Sequence, residues 1–206
     1  MPSSPENTPK RQRKCADERR EDILCAAVKV FAEQGFRCAD VQQIADLAGI
    51  GKGTVYRFFA TKEELFKAAV DDAMRSLTSQ VDGAAEGVED PLQRLRLGFK
   101  AYMAFFQACP EIIELFVHER AELRGTAKPL YFVYSEERRG AWLAVAQRLI
   151  DSGRTRISDP ELLLDAIGHL SYGAVLVNRI SGRNQPLDEA ADDFLDVLFN
   201  GICKSS

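Results

Sequence analysis

The stretch Val41 to Phe59, VQQIADLAGIGKGTVYRFF, constrains this chain more than any other. Val41, Ile44, Ala45 and Ala48 fall at i, i+3, i+4 and i+7, which makes one face of a short helix apolar. Ala45 is small where a second helix must cross closely. Gly49 takes the left-handed conformation without a Cβ penalty, so Ala48-Gly49-Ile50-Gly51 predicts a turn with Ile50 plugged inward. A second short helix follows, polar at its start through Gly51, Lys52, Gly53 and Thr54, with Val55 and Phe59 inward four residues apart. Lys52, Thr54, Tyr56 and Arg57 are left facing outward. Two helices crossed in this way predict a helix-turn-helix, whose second member enters the major groove and meets base edges with its first residues. A helical corner packed without DNA would show the same spacing.

Length and charge bound what surrounds this stretch. The 206 residues allow one large domain or two small ones, and an apolar fraction of 46% is enough for a sizeable core. No apolar run is long enough to cross a bilayer, and the start, MPSSPENTPKRQRK, lacks the apolar stretch of a secretory signal, which together predict a cytoplasmic protein. Five cysteines, at 15, 25, 38, 109 and 203, are scattered and form no CxxC pair, so reduced thiols are expected rather than a disulfide framework or a zinc site, with redox sensing as the alternative.

The net charge of −4 opposes a nucleic-acid partner, but its distribution does not. Residues 1 to 70 hold 12 Lys and Arg against 10 Asp and Glu, whereas the remainder holds 15 against 21. The surplus is concentrated in Lys10, Arg11, Arg13 and Lys14. Residues 1 to 16 are rich in Pro, Ser and charge without any period, which predicts a disordered basic arm, either following the DNA backbone or a minor groove or remaining a solvated tail.

Taken in order, the chain predicts a supporting helix from Asp17, with Ile23, Ala27, Val30 and Phe31 as its inward stripe and Gly35 as its stop. Asp40 before Val41, with Gln43 three residues on, predicts a capping box, and Gln42 and Gln43 face outward. Thr61-Lys62-Glu63-Glu64 predicts a second box at the start of a connector helix through Leu65, Phe66, Ala69, Ala73 and Leu77, fading at Val81. Lys62 brings positive charge to that helix N-terminus, where free amides favour phosphate. Gly83 to Asp90, GAAEGVED, is the stretch expected to separate an N-terminal domain from the rest.

Residues 17 to 77 resemble the DNA-binding domain of the tetracycline-repressor (TetR) family without a gap, including Gly35-Phe36, Ile44-Ala45, Ala48-Gly49, Lys52-Gly53-Thr54, Tyr56, Phe59 and Lys62-Glu63-Glu64. The resemblance implies an all-α protein, with an N-terminal three-helix helix-turn-helix domain over 17–77 (the motif itself at about 40–59) and a C-terminal helical bundle over 78–206 for ligand binding and dimerisation. It also implies that Tyr56 and Lys62 hold phosphates while Thr54 and the start of the second short helix approach bases. The expected DNA-facing set is Gln42, Gln43, Gly51, Lys52, Gly53, Thr54, Tyr56, Arg57 and Lys62. Two positions depart from the family pattern: Gly51, often Ser, loses a phosphate-bonding hydroxyl, and Asp40, often Thr, is an anion that DNA repels.

The C-terminal half predicts helices throughout. Pro91 opens one that Pro110 interrupts, another runs from Glu111 to about Leu123, and Pro129 starts a long one that stops at Gly153. Asp159-Pro160 caps the next, and Leu187 to about Cys203 forms the last. The final two are unusually apolar, and small residues at Ser171, Gly173 and Ala174 permit close approach to a copy, predicting a homodimer on a palindromic double-stranded operator. The alternative is that both helices complete the monomer core.

Dense aromatics in the middle helices suggest a cavity for a small apolar effector, with Tyr102, Phe106, Phe116, Tyr131 and Trp142 as candidate lining. His118, Glu119, Arg120 and Glu122 would either orient such a ligand or form surface ion pairs. His118 and His169 lack metal-ligand spacing, and neither a metal nor a cofactor is expected. No Gly-rich phosphate loop, nucleophile elbow or paired carboxylate frame suggests an enzyme, so the expected function is a transcriptional regulator, by family default a repressor released by its effector.

Overall fold

The computed structural model describes residues 15–122, 128–182 and 186–202. Among them the chain forms nine helices and no strand: α1 (Ala16–Cys38), α2 (Val41–Leu47), α3 (Lys52–Phe58), α4 (Lys62–Ala85), α5 (Pro91–Ala108), α6 (Glu111–Glu122), α7 (Leu130–Asp151), α8 (Pro160–Ser181) and α9 (Leu187–Ile202). The basic arm expected over residues 1–16 lies outside the described residues except for Cys15 and Ala16, and Cys203 lies outside them too. No helix of the described residues is long and apolar enough to cross a membrane.

Helix starts follow the capping chemistry with three revisions. Cys15 closes a full box at α1: its Sγ accepts the Glu18 amide at 3.4 Å, and the Glu18 carboxylate accepts the Cys15 amide at 2.9 Å. Asp40 caps α2 by accepting the Gln42 amide at 2.8 Å, but no box forms, because the Gln43 side chain instead accepts from Gln34 Nε2 at 2.6 Å. Thr61 accepts the Glu64 amide at 3.0 Å, whereas the Glu64 carboxylate reaches back to Ala60 N–H rather than to Thr61. Asp90 and Asp159 cap α5 and α8 directly ahead of a proline at the first turn, where the missing N–H costs nothing.

Gly35 breaks α1 as expected, with φ +73°, yet the chain resumes one helical turn to Cys38. The break allows α6 to approach: the His118 ring lies where a Cβ on Gly35 would stand, 3.2 Å from its Cε1. Beside it, Arg37 pairs with Glu122 at 3.1 Å, and Lys62 donates to the Arg37 carbonyl at 3.1 Å. His118 and Glu122 are therefore committed to the joint between the first and later helices, Glu122 through the expected surface ion pair, while Glu119 is buried and none of the four lines the cavity described below.

The connector helix is longer than its sequence pattern suggested. It does not fade at Val81 but runs to Ala85, whose side chain is fully buried, giving a rod of about 36 Å at 1.5 Å per residue. The expected boundary at residue 77 thus falls inside α4, and Gly83 to Asp90 is a short corner rather than a spacer, because α4 packs along α5 on one side of it and along α1 on the other. Phe31, Phe36 and Phe66 join α1 to α4, Phe31 meeting Phe66 edge to face at 5.0 Å, a geometry worth about 0.5–1.5 kcal/mol beyond the area buried. The buried residues form one continuous cluster from Ile23 to Phe199.

Candidate nucleic-acid interface and buried cavity

The helix-turn-helix is built by five inward positions. Val41, Ile44 and Ala45 are buried on α2, Val55 is 1% exposed on α3, and Phe59 closes the end. Gly49 has φ +66°, and the turn is locked by the Ile50 amide donating to the Ala45 carbonyl at 2.9 Å. Gly51 caps α3 without a side-chain hydrogen bond, and its carbonyl accepts the Thr54 amide at 2.8 Å. Neither Gly51 nor Gly53 has a heavy atom within 4 Å of where a Cβ would stand, leaving this end of α3 open.

Gly51, Gly53, Tyr56 and Arg57 are exposed along one side of α3, with Lys52 and Thr54 partly so. Gln42 and Gln43 are exposed on α2, but both are held: Gln42 Nε2 donates to Asp46 at 2.8 Å, and Gln43 accepts from Gln34. Lys52 Nζ lies 3.0 Å from Asp40 Oδ1, so the anion at the cap of α2 partly neutralises the first cation of α3. The Gln42 amide and then Lys52 hold the Asp40 carboxyl below the usual carboxylate range. Lys62 sits over the Phe36 ring at 5.1 Å while donating to Arg37, which leaves two of its three ammonium protons for another acceptor. Leu47, 56% exposed on α2, is an apolar residue of this surface for which periodicity gave no role.

A cavity of about 700 Å³ lies among α4, α5, α7 and α8. Met74, Leu77, Thr78 and Val81 of α4 form one wall, and Leu95, Gly98, Phe99 and Tyr102 of α5 form another. From α7 come Tyr131, Phe132, Ser135, Arg138, Arg139 and Trp142, and from α8 Ile167, His169, Ser171 and Tyr172. Tyr102, Tyr131 and Trp142 are among the lining; Phe106 and Phe116 are not. Those two are 1% and 3% exposed, with rings 6.2 Å apart, and belong to the buried contact between α5 and α6. Ser171 also differs from expectation: it is buried, donates to the Ile167 carbonyl at 2.7 Å and lines the cavity instead of smoothing an outer face. His169 and Tyr172 escaped the sequence reading because α8 is apolar nearly all round and gave no signal for its cavity side.

Charge around the cavity is paired. Arg138 joins Asp82 of α4, and Arg139 joins Glu161 and Asp165 of α8 at the rim. Tyr134, on the α4 side of α7, donates to Asp71 Oδ1 at 2.6 Å, and Asp71 also pairs with Arg75. Helix α7 therefore lines the cavity and also grips α4 at Asp71 and Asp82. No cluster of metal-ligating side chains occurs among the described residues. On the outside, α8 leaves Leu162, Val177 and Ile180 exposed, Ile180 at 74%, and α9 leaves Val197 at 77%.

Residues 23–69 match the family described as bacterial regulatory proteins, tetR family. Over 195 residues the chain is 29% identical to the transcriptional repressor KstR2 of Mycobacterium tuberculosis, covering 91% of this chain and 94% of that protein. It is 37% identical over 91 residues to the transcriptional activator FasR of Mycolicibacterium smegmatis, covering 44% of this chain and 42% of FasR. The solved structure of the ketosteroid transcriptional regulator KstR2 of Mycobacterium tuberculosis superposes with a TM-score of 0.75 at 25% identity, covering 95% of this chain and all of that one.

Proposed function

We infer, for a chain that belongs to the tetR family of bacterial regulatory proteins, a DNA-binding transcriptional regulator that represses from an operator and is released when a small apolar effector fills the cavity beside α4. The observation that carries this scheme is the double use of α4. Its first residue, Lys62, is fastened to the end of α1, and its second half, from Met74 to Val81, is a wall of the cavity. An effector that needs more room than the resting cavity offers pushes that wall, tilts α4 and moves α3 with it. Turning a 99:1 operator-competent population into 1:99 requires about 5.5 kcal/mol of preference, equivalent to roughly 220 Å² of apolar burial at about 25 cal/mol/Å².

The DNA face comprises Gln42, Gln43, Gly51, Lys52, Gly53, Thr54, Tyr56, Arg57 and Lys62. Thr54 and the open start of α3 approach base edges, and Tyr56 and Lys62 hold phosphates. The outer apolar residues of α8 and α9, Leu162, Val177, Ile180 and Val197, join two copies about a two-fold axis. Dimerisation sets the two α3 helices about 34–36 Å apart, on successive major grooves of cytoplasmic DNA. The relative matched over nearly its whole length is named a repressor, which supports repression over activation.

Selection of fragments from a random duplex pool by the purified protein tests the scheme. A palindrome, protected symmetrically in footprinting and lost with Thr54→Ala plus Tyr56→Phe, is the expected result. An asymmetric site protected by a single subunit would overturn it.

A further inference from the structure

Tyr102 of α5 and Tyr131 of α7 stand on different walls of the cavity, and their hydroxyl oxygens meet at 3.1 Å. Each phenol has one proton to give. Among the described residues neither hydroxyl has another hydrogen-bond partner, so the mutual bond uses one proton and leaves the second without an acceptor. Burial pushes both phenols above their ordinary range, which keeps both protonated at physiological pH. The Tyr172 ring packs 5.1 Å from that of Tyr131 and supports it from α8.

The two arginines of the cavity are already engaged. Arg138 and Arg139 are ion-paired to Asp82, Glu161 and Asp165, so an anionic ligand would have to displace carboxylates to use them. The remaining surface near the α4 and α5 walls is hydrocarbon and aromatic. A phenol donates a hydrogen bond better than it accepts one, because its lone pair is drawn into the ring.

We propose that Tyr102 and Tyr131 form an oxygen-recognition subsite, and that the effector is a neutral, apolar compound whose carbonyl oxygen takes the spare phenolic proton. The proposal rests on the cavity being the effector site. Because the two hydroxyls satisfy each other partly when the cavity holds no ligand, the preference for oxygen is modest, about tenfold rather than thousands. The count of protons also fixes an uncommon mutational pattern. Removing either hydroxyl alone leaves the other with a proton and no partner, so the preference survives in Tyr102→Phe and in Tyr131→Phe. Removing both abolishes it.

The test uses the full chain and its single tryptophan, Trp142, whose emission reports filling of the cavity it lines. Three probes of nearly equal shape are titrated: 4-cyclohexylcyclohexanone, bicyclohexyl, and 4-cyclohexylcyclohexanecarboxylate. The ketone-to-hydrocarbon affinity ratio is compared among the parent, the two single variants and Tyr102→Phe/Tyr131→Phe, so that changes in cavity shape cancel within each variant. A ratio about tenfold lower in the double variant, and retained in both singles, is the expected result. An equal ratio in parent and double variant, with both probes perturbing Trp142, overturns the subsite while leaving the cavity as effector site. Tighter binding of the carboxylate than of the ketone overturns the neutral assignment. If no probe perturbs Trp142, the cavity reading fails and the subsite with it.

Discussion

A Cβ built on Gly98 would stand 2.6 Å from Cη2 of Trp142, closer than real atoms approach. The indole of α7 is therefore seated against bare backbone of α5, and the position of one cavity wall is set by the absence of a side chain on the other. Gly98 is buried inside a helix, where glycine is otherwise disfavoured by about 1 kcal/mol, so the close approach is what the residue supplies.

Gly98→Ala should drive the indole into the cavity. The alanine gains helix propensity of about 1 kcal/mol but loses about 1–3 kcal/mol to overpacking, so stability stays level or falls by up to about 2 kcal/mol. The expected signature is a shifted Trp142 emission, with operator still bound but no longer released by effector. An unchanged emission spectrum would show that the wall gives way elsewhere.

Asp40→Asn should raise operator affinity. Asparagine caps α2 as well as aspartate does, so folding stability stays nearly level, while Lys52 loses its ion-pair partner and gains freedom to meet a phosphate. A steeper dependence of log affinity on log salt, by about 0.9, is the measurement that checks it. The depressed Asp40 carboxyl makes the cap fully charged above the ordinary value of 3.8, and its contribution is lost only as pH falls through the lower folded value, so the comparison is free of titration at neutral pH.

Much of this surface was legible from residue spacing, because a helix-turn-helix is made of local contacts. Val41, Ile44, Ala45, Gly49 and Val55 lie within fifteen positions of one another, and their period and glycine placement already state which face is buried. The cavity was legible only in part, since its lining comes from four helices brought together by long-range packing. Phe106 and Phe116 carry the same aromatic signal as Tyr102 and Tyr131, but the first pair is buried in the contact between α5 and α6, whereas the second borders the cavity. The cap at Cys15 was missed because a thiol accepts hydrogen bonds weakly and is rarely found there. Neither periodicity nor composition signals a pairing such as Asp40 with Lys52, twelve residues apart, which depends on how α2 and α3 cross.

Glu119→Gln should stabilise the protein at neutral pH. The carboxylate is 3% exposed; Oε1 accepts the Leu130 amide at 3.0 Å, while Oε2 has no hydrogen-bond partner among the described residues. Burial raises its pKa above the ordinary 4.5, so the folded state holds the proton more tightly than the unfolded state. Stability of the parent therefore falls as pH rises from the unfolded value through the folded one, and the deficit is complete above the latter. Glutamine keeps the acceptor for Leu130 and carries no charge to bury. Thermal midpoints of parent and variant should converge toward pH 4 and separate by pH 8, with the variant higher. A variant that melts lower at pH 8 would show that the charge is compensated by a group outside the described residues.

Tyr134→Phe should weaken the link between effector and DNA without weakening either binding event by itself. Tyr134 belongs to the helix that lines the cavity, yet its hydroxyl points away from it, donating to Asp71 on α4 at 2.6 Å. Desolvation and then Asp71 push its pKa up to about 12, so the proton that makes the bond is fully in place below 10 and is lost only as pH rises through 12. The loss in the variant is accordingly the same at every pH from 5 to 9. Removing the bond leaves Arg138 paired with Asp82 between α7 and α4, so coupling falls rather than vanishes. Effector titrated against a preformed operator complex should release the parent at several-fold lower excess than the variant, a coupling change of about 0.5–2 kcal/mol. Equal release curves at equal occupancy would place the transmission along α5 instead, the other cavity wall that packs on α4.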